Sequence, residues 1–374
     1  MNAMGIIFAN IYDSSMGDLT NKRTMASLPF GGRYRQIDFI LSNMANSGIR
    51  RIGIISRFNY QSLMAHIGSG EEWDLELQEG GLEYLTPYSL ANNSNTNYRG
   101  KLEALNSISE YMKYGADSDY VVLADPSVVC NIDLTKVIDA HIASGKDITV
   151  VTKAGVANGS KRLDLAVKLD AKGGIADMVV DYAVSPEYLA SMGLFVIAKD
   201  LLMYHVKEAV AHNLYRFERD FLLNQYQAGN LTVNIYQFDG VALYNESTEE
   251  YYRSNLAILD EEIRHDLFRS NHPIYTKVRD RVPSYYGENC HIEHCSVADG
   301  CMLDGDVRDS VLFRQVTIGA GSTVEGSLIM NDTCVGENCE LKYVILDKNV
   351  TVRPGSKLIG TPRNPIIIKR GEIV

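Results

Sequence analysis

The chain is predicted to fold as an α/β domain built on a mostly parallel sheet, followed by a parallel β-helix, and three observations carry that prediction. Residues 4–9 form a short, continuously apolar run that reads as a buried first strand. Residues 29–56 then join a glycine turn, an amphipathic segment with apolar residues at Ile37, Phe39, Ile40, Leu41 and Met44, and the apolar run 52–55. The chain therefore opens as strand, loop, helix, strand, half of a parallel crossover unit. From about Ser284 the period changes. Ile318, Val324 and Met330 lie six apart, as do Val335 and Leu341, with small residues between them in IGAGST, VGENCE and RPGSKL. Such hexapeptides build a parallel β-helix in which each turn buries its aliphatic residue. A β-sandwich is the alternative for this tail, and the regular recurrence of glycine turns disfavours it.

The remaining elements follow in order. Asn46, Ser47 and Gly48 stop the first helix. Residues 68–81, where Glu71, Glu72, Asp74, Glu76 and Glu79 surround the single Trp73, are predicted as a surface loop or short hairpin. Residues 89–97, rich in Asn and Ser, read as a loop near the site. Helical spacing marks 102–114, 133–144, 201–211 and 217–227. Strands are predicted over 120–124, 148–153, 195–197 and 235–238, with paired strands over 167–180 around Lys172-Gly173-Gly174. Asp125-Pro126 ends the strand 120–124 abruptly. Ligands bind at the carboxyl ends of strands in open α/β sheets, so the residues just after Ala124 occupy the place for chemistry. Residues 248–265 read as one charged helix with Tyr252, Leu256, Leu259 and Ile263 on one face. The expected organisation is an α/β domain over 1–245, a helical linker over 246–283 and a β-helix over 284–374.

Composition excludes several classes. The 374 residues are 45% hydrophobic and 22% charged, as in soluble globular proteins, and no stretch is long and apolar enough to span a bilayer. The start lacks a charged-then-apolar leader, so a cytoplasmic location without membrane contact is expected. A net charge of −11 disfavours nucleic acid as a partner, because phosphate recognition needs a basic surface. Cys290, Cys295, Cys301, Cys334 and Cys339 sit in the tail with no Cys-x-x-Cys pair. They read as buried thiols of a reducing compartment rather than as metal ligands.

The block FGGRYRQIDFILSNMANSGIRRI resembles the corresponding block of the bacterial ADP-glucose pyrophosphorylases, a family of sugar-nucleotide transferases. Further matching pieces follow in the family's order: DLTNKR at 18–23, NYRG at 97–100, SMG at 191–193 and the hexapeptide tail. The resemblance covers nearly the whole chain. It implies a Rossmann-like nucleotidyltransferase domain followed by a left-handed parallel β-helix.

A nucleotidyl-transfer site needs a glycine-rich cradle for the triphosphate, basic residues for the developing charge and two carboxylates for magnesium. The family's cradle, Gly-Gly-x-Gly-x-Arg, aligns here with Asn10-Ile11-Tyr12-Asp13-Ser14-Ser15. Side chains at Asn10, Ile11 and Asp13 would obstruct the phosphates, and Ser15 replaces the catalytic arginine. Met25 stands where the family has its second basic residue. Ser127 and Asn245 align with the two metal carboxylates, and Asp181 with the lysine that binds the sugar phosphate. Asp125 could substitute for the first carboxylate only by a shift of register.

What the resemblance preserves is Tyr98, Arg99 and Gly100 of the nucleotide-contacting motif, with Asn97 replacing its tryptophan and Lys101 its threonine. Ser191, Met192 and Gly193 match residues lining the sugar pocket. Both groups are read either as substrate-binding remnants or as parts of the fold alone. Lys22, Arg23 and Arg35 resemble the basic residues with which the family grips phosphorylated activators, the alternative being a solvated surface cluster.

This pattern resembles the family's noncatalytic GlgD-type subunit. That resemblance implies a regulatory subunit of glucose-1-phosphate adenylyltransferase in glycogen synthesis, with no intact catalytic site and no cofactor or metal of its own, magnesium being confined to the catalytic partner. The expected partners are that catalytic subunit, in homo- and hetero-oligomers, and a phosphorylated effector. Two alternatives remain: an active transferase relying on Asp125, or a nucleotide-sugar sensor without a transferase partner.

Overall fold

The computed structural model describes residues 2–10, 12–86, 98–114, 118–288 and 290–374. Ile11 and the predicted loop 89–97 lie outside the described residues. The chain divides into two compact units that interleave in sequence. One comprises Met1–Ile11, Ile40–Tyr60 and Gly68–Ala242, and the other Tyr12–Phe39, Gln61–Ile67 and Leu243–Val374.

The first unit is built on a nine-stranded mixed sheet. Its main path runs Ile175–Val179, Ala166–Leu169, Leu189–Ala198, Tyr120–Ala124, Ala3–Phe8, Arg51–Ile55 and Gly81–Leu85. The strand Ala3–Phe8 pairs in parallel with both of its neighbours, and Arg51–Ile55 in parallel with Gly81–Leu85. Ile148–Lys153 and Val233–Gln237 pair in parallel off this path, and Leu189–Ala198 runs antiparallel to Tyr120–Ala124. Because Ile7 pairs with Ala124 and Phe8 with Ile55, the carboxyl ends of three adjacent strands lie side by side. Asn10, Arg57 and Asp125 therefore leave the same edge of the sheet, the edge at which such sheets bind ligands.

The predicted buried face of the helix Gln36–Asn46 is present: Ile37, Phe39, Ile40, Leu41 and Met44 are all buried, and Gly48 follows at φ +73° as the left-handed residue that ends it. Three expectations need correction. Trp73 is fully buried in a short turn, Glu71–Trp73, and its indole N–H donates to Ser42 Oγ at 3.1 Å, so the acidic surroundings conceal a core anchor. The helix expected over 102–114 is two, Lys101–Ser107 and Ser109–Tyr114, with the Ser107 hydroxyl bonding back to the Ala104 carbonyl at the break. The helix expected over 248–265 is also two, Thr248–Ala257 and Glu261–Leu267, because Asp260 caps the second by accepting from the N–H groups of Glu262 and Ile263. Its buried face carries Tyr251, Tyr252, Asn255 and Ile258, while Leu256, Leu259 and Ile263 are only half-buried.

The tail is a left-handed parallel β-helix of three five-stranded parallel sheets. Register along one sheet steps from Leu303 to Ile318, Val335 and Val352, stacking one aliphatic side chain per coil in the core. The predicted inward residues Ile318, Val324, Met330, Val335 and Leu341 are all buried. The six cysteines are free, but only Cys130, Cys301 and Cys339 are buried; Cys290 and Cys295 are half-buried and Cys334 is exposed, since it points outward from its two-residue strand.

Candidate functional site

In the first unit, a cleft of about 540 Å³ opens beside the carboxyl ends of the strands, between Gly100-Lys101 and the segment 216–219. Gly100 is fixed by close approach: a Cβ there would lie 2.1 Å from the Tyr215 carbonyl oxygen, which also accepts from Leu102 N–H at 3.1 Å. The neighbouring Arg99 guanidinium lies over the Tyr215 ring, 3.6 Å from its centroid, and donates to Glu103 at 2.8 Å. Tyr98 shares a hydrogen bond with Ser107 Oγ at 2.8 Å, and its carbonyl accepts from Arg57 at 3.1 Å. These three residues from the sequence motif thus stand together, each engaged by neighbours within the unit.

Lys101 carries the main charge relationship of the cleft. Its ammonium donates to Asp125 Oδ2 at 2.6 Å and also bonds the Glu218 carboxylate. Burial disfavours the charged lysine, yet the two carboxylates outweigh it and raise its pKa. Burial pushes Asp125 up to about 7, Lys101 opposing and Glu218 adding to the rise. Gly193, at φ +66°, makes this placement sterically feasible, because a Cβ there would fall 2.6 Å from Asp125 Oδ2; its carbonyl also accepts from Asp125 N–H at 3.0 Å. Ser191 Oγ accepts from Gly193 N–H at 3.1 Å, and Met192 is fully buried. The SMG motif therefore supports the Asp125 end of the cleft.

At the other end, Asp181 does not stand as a bare negative charge. Arg216 and Arg219 bond its carboxylate at 3.1 and 3.0 Å, and Arg162 donates to its carbonyl at 2.7 Å. Where the family's cradle would lie, Asn10 donates to the Phe58 carbonyl at 3.2 Å and accepts from Arg57 N–H at 2.7 Å, tying that loop to the next strand's end. Ser127 is buried.

The second unit holds the other aligned positions. Ser15 donates to the carbonyl oxygens of Tyr12 and Glu246 at 2.8 and 2.5 Å. Met25 is fully buried, and its N–H donates to Asp13 Oδ1 at 2.7 Å. Asn245 is fully buried, donating to the Leu243 carbonyl at 3.1 Å with its own oxygen unpartnered among the described residues.

The same unit gathers a cluster of cations. Arg23 is buried, with Nε on the Leu19 carbonyl at 2.8 Å and Nη2 on Asp347. Arg35 is buried and donates to the Ser62 carbonyl at 2.6 Å; burial and the nearby Arg23, Arg279 and Arg370 lower its pKa to about 10, Asp38 opposing. Lys348 joins them. Burial, then Arg35 and Arg23, push its pKa down to about 6 despite Asp347. Lys22 is exposed. Reasoning on the sequence missed Lys348, Glu218, Arg216 and Arg219, and the only local signal was the charged LDKN and FER segments in otherwise apolar surroundings.

Nucleotidyl transfer in the family is expected to use magnesium, and the residues present in this chain do not fit it. Ser127 and Asn245 are neutral, and Asp125, the carboxylate two residues before the first position, is engaged by Lys101. Among the described residues no group of three or more His, Cys, Asp or Glu side chains could hold a metal ion. No helix of the described chain is long and apolar enough to cross a membrane.

Comparison with known proteins agrees with this layout. Residues 5–240 match the nucleotidyl transferase family and residues 281–364 the GlmU-like C-terminal hexapeptide family. The chain is 30% identical to the glycogen biosynthesis protein GlgD of Bacillus subtilis (strain 168) and 33% identical to that of Geobacillus stearothermophilus, each over 99% of this chain and 96% of the relative. It is 27% identical to the glucose-1-phosphate adenylyltransferase of Bacillus mycoides (strain KBAB4), over 94% of this chain and 93% of that protein. The chain belongs to the nucleotidyl transferase family and is similar along nearly its whole length to GlgD glycogen biosynthesis proteins and to glucose-1-phosphate adenylyltransferases.

Proposed function

We propose that this chain is a regulatory subunit of a glucose-1-phosphate adenylyltransferase in bacterial glycogen synthesis, working in the cytoplasm without significant turnover of its own. The observation that carries the reading is the condition of Ser15 and Met25. At the two positions where the transferases have basic residues, one side chain is a hydroxyl engaged by two carbonyls and the other is buried in the core. Without such cations, charge developing on a transferring phosphoryl group lacks its main stabilisation. Neutral Ser127 and Asn245 support the same reading, and magnesium then belongs to a catalytic partner.

The partner would be a catalytic subunit joined to this chain in a hetero-oligomer. Arg23 and Arg35, with Lys348 beside them and Lys22 nearby in sequence, form the proposed site for a phosphorylated effector, since two buried guanidiniums stand together there and a bound phosphate would favour the protonated form of Lys348. A second reading, a nucleotide-sugar sensor, is favoured by the open cleft with Arg162, Arg216 and Arg219 on its wall.

The deciding experiment measures ADP-glucose formation by the purified chain alone, by a catalytic homologue alone, and by the two mixed. The expected result is negligible formation by this chain and a raised rate in the mixture. Turnover by the isolated chain at the partner's rate would overturn the reading, and an unchanged rate in the mixture would favour the sensor.

A further inference from the structure

Carboxylates gather at the Lys101 end of the cleft. Glu218 and Asp164 line it, and Asp125, buried behind Lys101, has its Oδ1 without a hydrogen-bond partner among the described residues. Carboxylates so withdrawn from water demand a cation, since an unpaired buried charge is far costlier than a paired one. In an oxygen-lined site that demand can be met by a hard divalent ion held through one or two carboxylates.

Here a side chain meets it. The Lys101 ammonium sits between Asp125 and Glu218 and is 9% exposed, with the Phe8 and Phe195 ring centroids 5.6 and 5.8 Å away. Each of its supports is fixed by a different part of the fold. Gly100 sets the start of the Lys101 helix against Tyr215, Gly193 leaves room for the Asp125 carboxylate, and Glu218 projects from the first turn of the segment Phe217–Leu223. The cation is therefore held in a preset position and does not sample the cleft as a surface lysine would.

We propose that Lys101 is a tethered resident cation: its ammonium takes the place of a divalent ion between Asp125 and Glu218, so that the cleft is electrostatically complete without metal and excludes a metal-bound nucleotide from that end. The inference rests on the reading of a noncatalytic chain and adds the device that maintains that state. Loss of the aligned metal carboxylates would leave a site that binds metal poorly. A resident cation leaves one that rejects metal, because a divalent ion would have to displace an ammonium it cannot expel.

The test compares the full-length wild type with Lys101→Met, which keeps an unbranched side chain, one atom shorter, and removes the charge, reading Mn²⁺ binding by the paramagnetic signal of the free ion and melting temperature in chelator and in Mn²⁺. The wild type is expected to bind no Mn²⁺ in the cleft and to melt alike in both. Lys101→Met is expected to melt lower in chelator, to recover in Mn²⁺, and to bind Mn²⁺ at least about tenfold more tightly than the wild type, as a vacated carboxylate pair would. The triple variant Lys101→Met, Asp125→Asn, Glu218→Gln should lose both the binding and the recovery. A folded Lys101→Met that binds no Mn²⁺, a variant that stays unfolded even in Mn²⁺, or Mn²⁺ binding that survives in the triple variant would each overturn the proposal. None of these readouts requires turnover, so they stand apart from the assay that tests the noncatalytic reading.

Discussion

Asp13 and Met25, which the resemblance aligns with the transferases' phosphate cradle and second basic residue, are joined: the Asp13 carboxylate accepts the Met25 backbone N–H at 2.7 Å, and both residues are buried. The substitutions that depart from the family pattern are thus joined in one local structure. Thr20 reinforces it by donating its hydroxyl to the Asp13 carbonyl at 2.6 Å. Asp13 thus ties its own segment to the first residue of the turn Met25–Ser27.

From this, Asp13→Ala should lower stability, because it leaves the Met25 N–H buried without that acceptor. An unsatisfied buried donor costs about 1–3 kcal/mol. Asp13→Asn keeps an acceptor and should lose less. Urea midpoints of the two variants against wild type measure the difference, and an Asp13→Ala midpoint equal to wild type would show that the carboxylate does not support the turn.

Lys348 gives a pH prediction with a definite sign. Its pKa in the folded chain is about 6, against an ordinary lysine value of 10.5, so between these values the unfolded chain binds more protons than the folded one. Stability from this group is then full above the ordinary value and is lost as pH falls toward about 6. Melting temperature should therefore rise with pH across that window, and Lys348→Met should flatten the rise. Inorganic phosphate, if it binds beside Arg23 and Arg35, favours the protonated lysine and should stabilise the chain most at the acid end. A wild-type profile as flat as that of Lys348→Met would contradict the burial-driven shift.

Periodic features made the fold legible in the sequence. Short continuous apolar runs marked the strands, and the six-residue recurrence of Ile318, Val324 and Met330 marked the coil because each repeat buries one side chain in a fixed register. Trp73 was hidden because its partner, Ser42, lies 31 residues away and its immediate neighbours are acidic. The same limit hid the charge network of the cleft. Lys101 stood out only as a replacement for threonine, while the residues that give it meaning are 24 and 117 residues distant. Asp181 illustrates the point in reverse: one aspartate in place of a lysine looks like an inverted anion site, until Arg162, Arg216 and Arg219 are seen to surround it.

The last prediction concerns repair of the site. Ser15→Arg with Met25→Lys restores the two missing charges on paper, but it breaks the Ser15 hydroxyl's bonds to Tyr12 and Glu246 and places an ammonium where a fully buried thioether packs. Burying an unpaired charge is strongly destabilising, so this double variant should melt lower than wild type and gain little activity. Adding Ser127→Asp and Asn245→Asp supplies the carboxylates, and the combined variant should exceed the sum of the separate pairs, since groups acting as one unit are non-additive. Even then Asn10 and Asp13 remain in the cradle, and each missing donor can hold the rate down by about a hundredfold or more. The measurement is ADP-glucose formation by each isolated variant across a magnesium titration, with Asp125→Asn included in the wild-type background. If Asp125 were a working metal ligand, Asp125→Asn would abolish a native activity and Asn245→Asp would change little. The bonding of Asp125 to Lys101 predicts the opposite, with no native activity for Asp125→Asn to remove and a measurable rate only where Ser127→Asp and Asn245→Asp are present together.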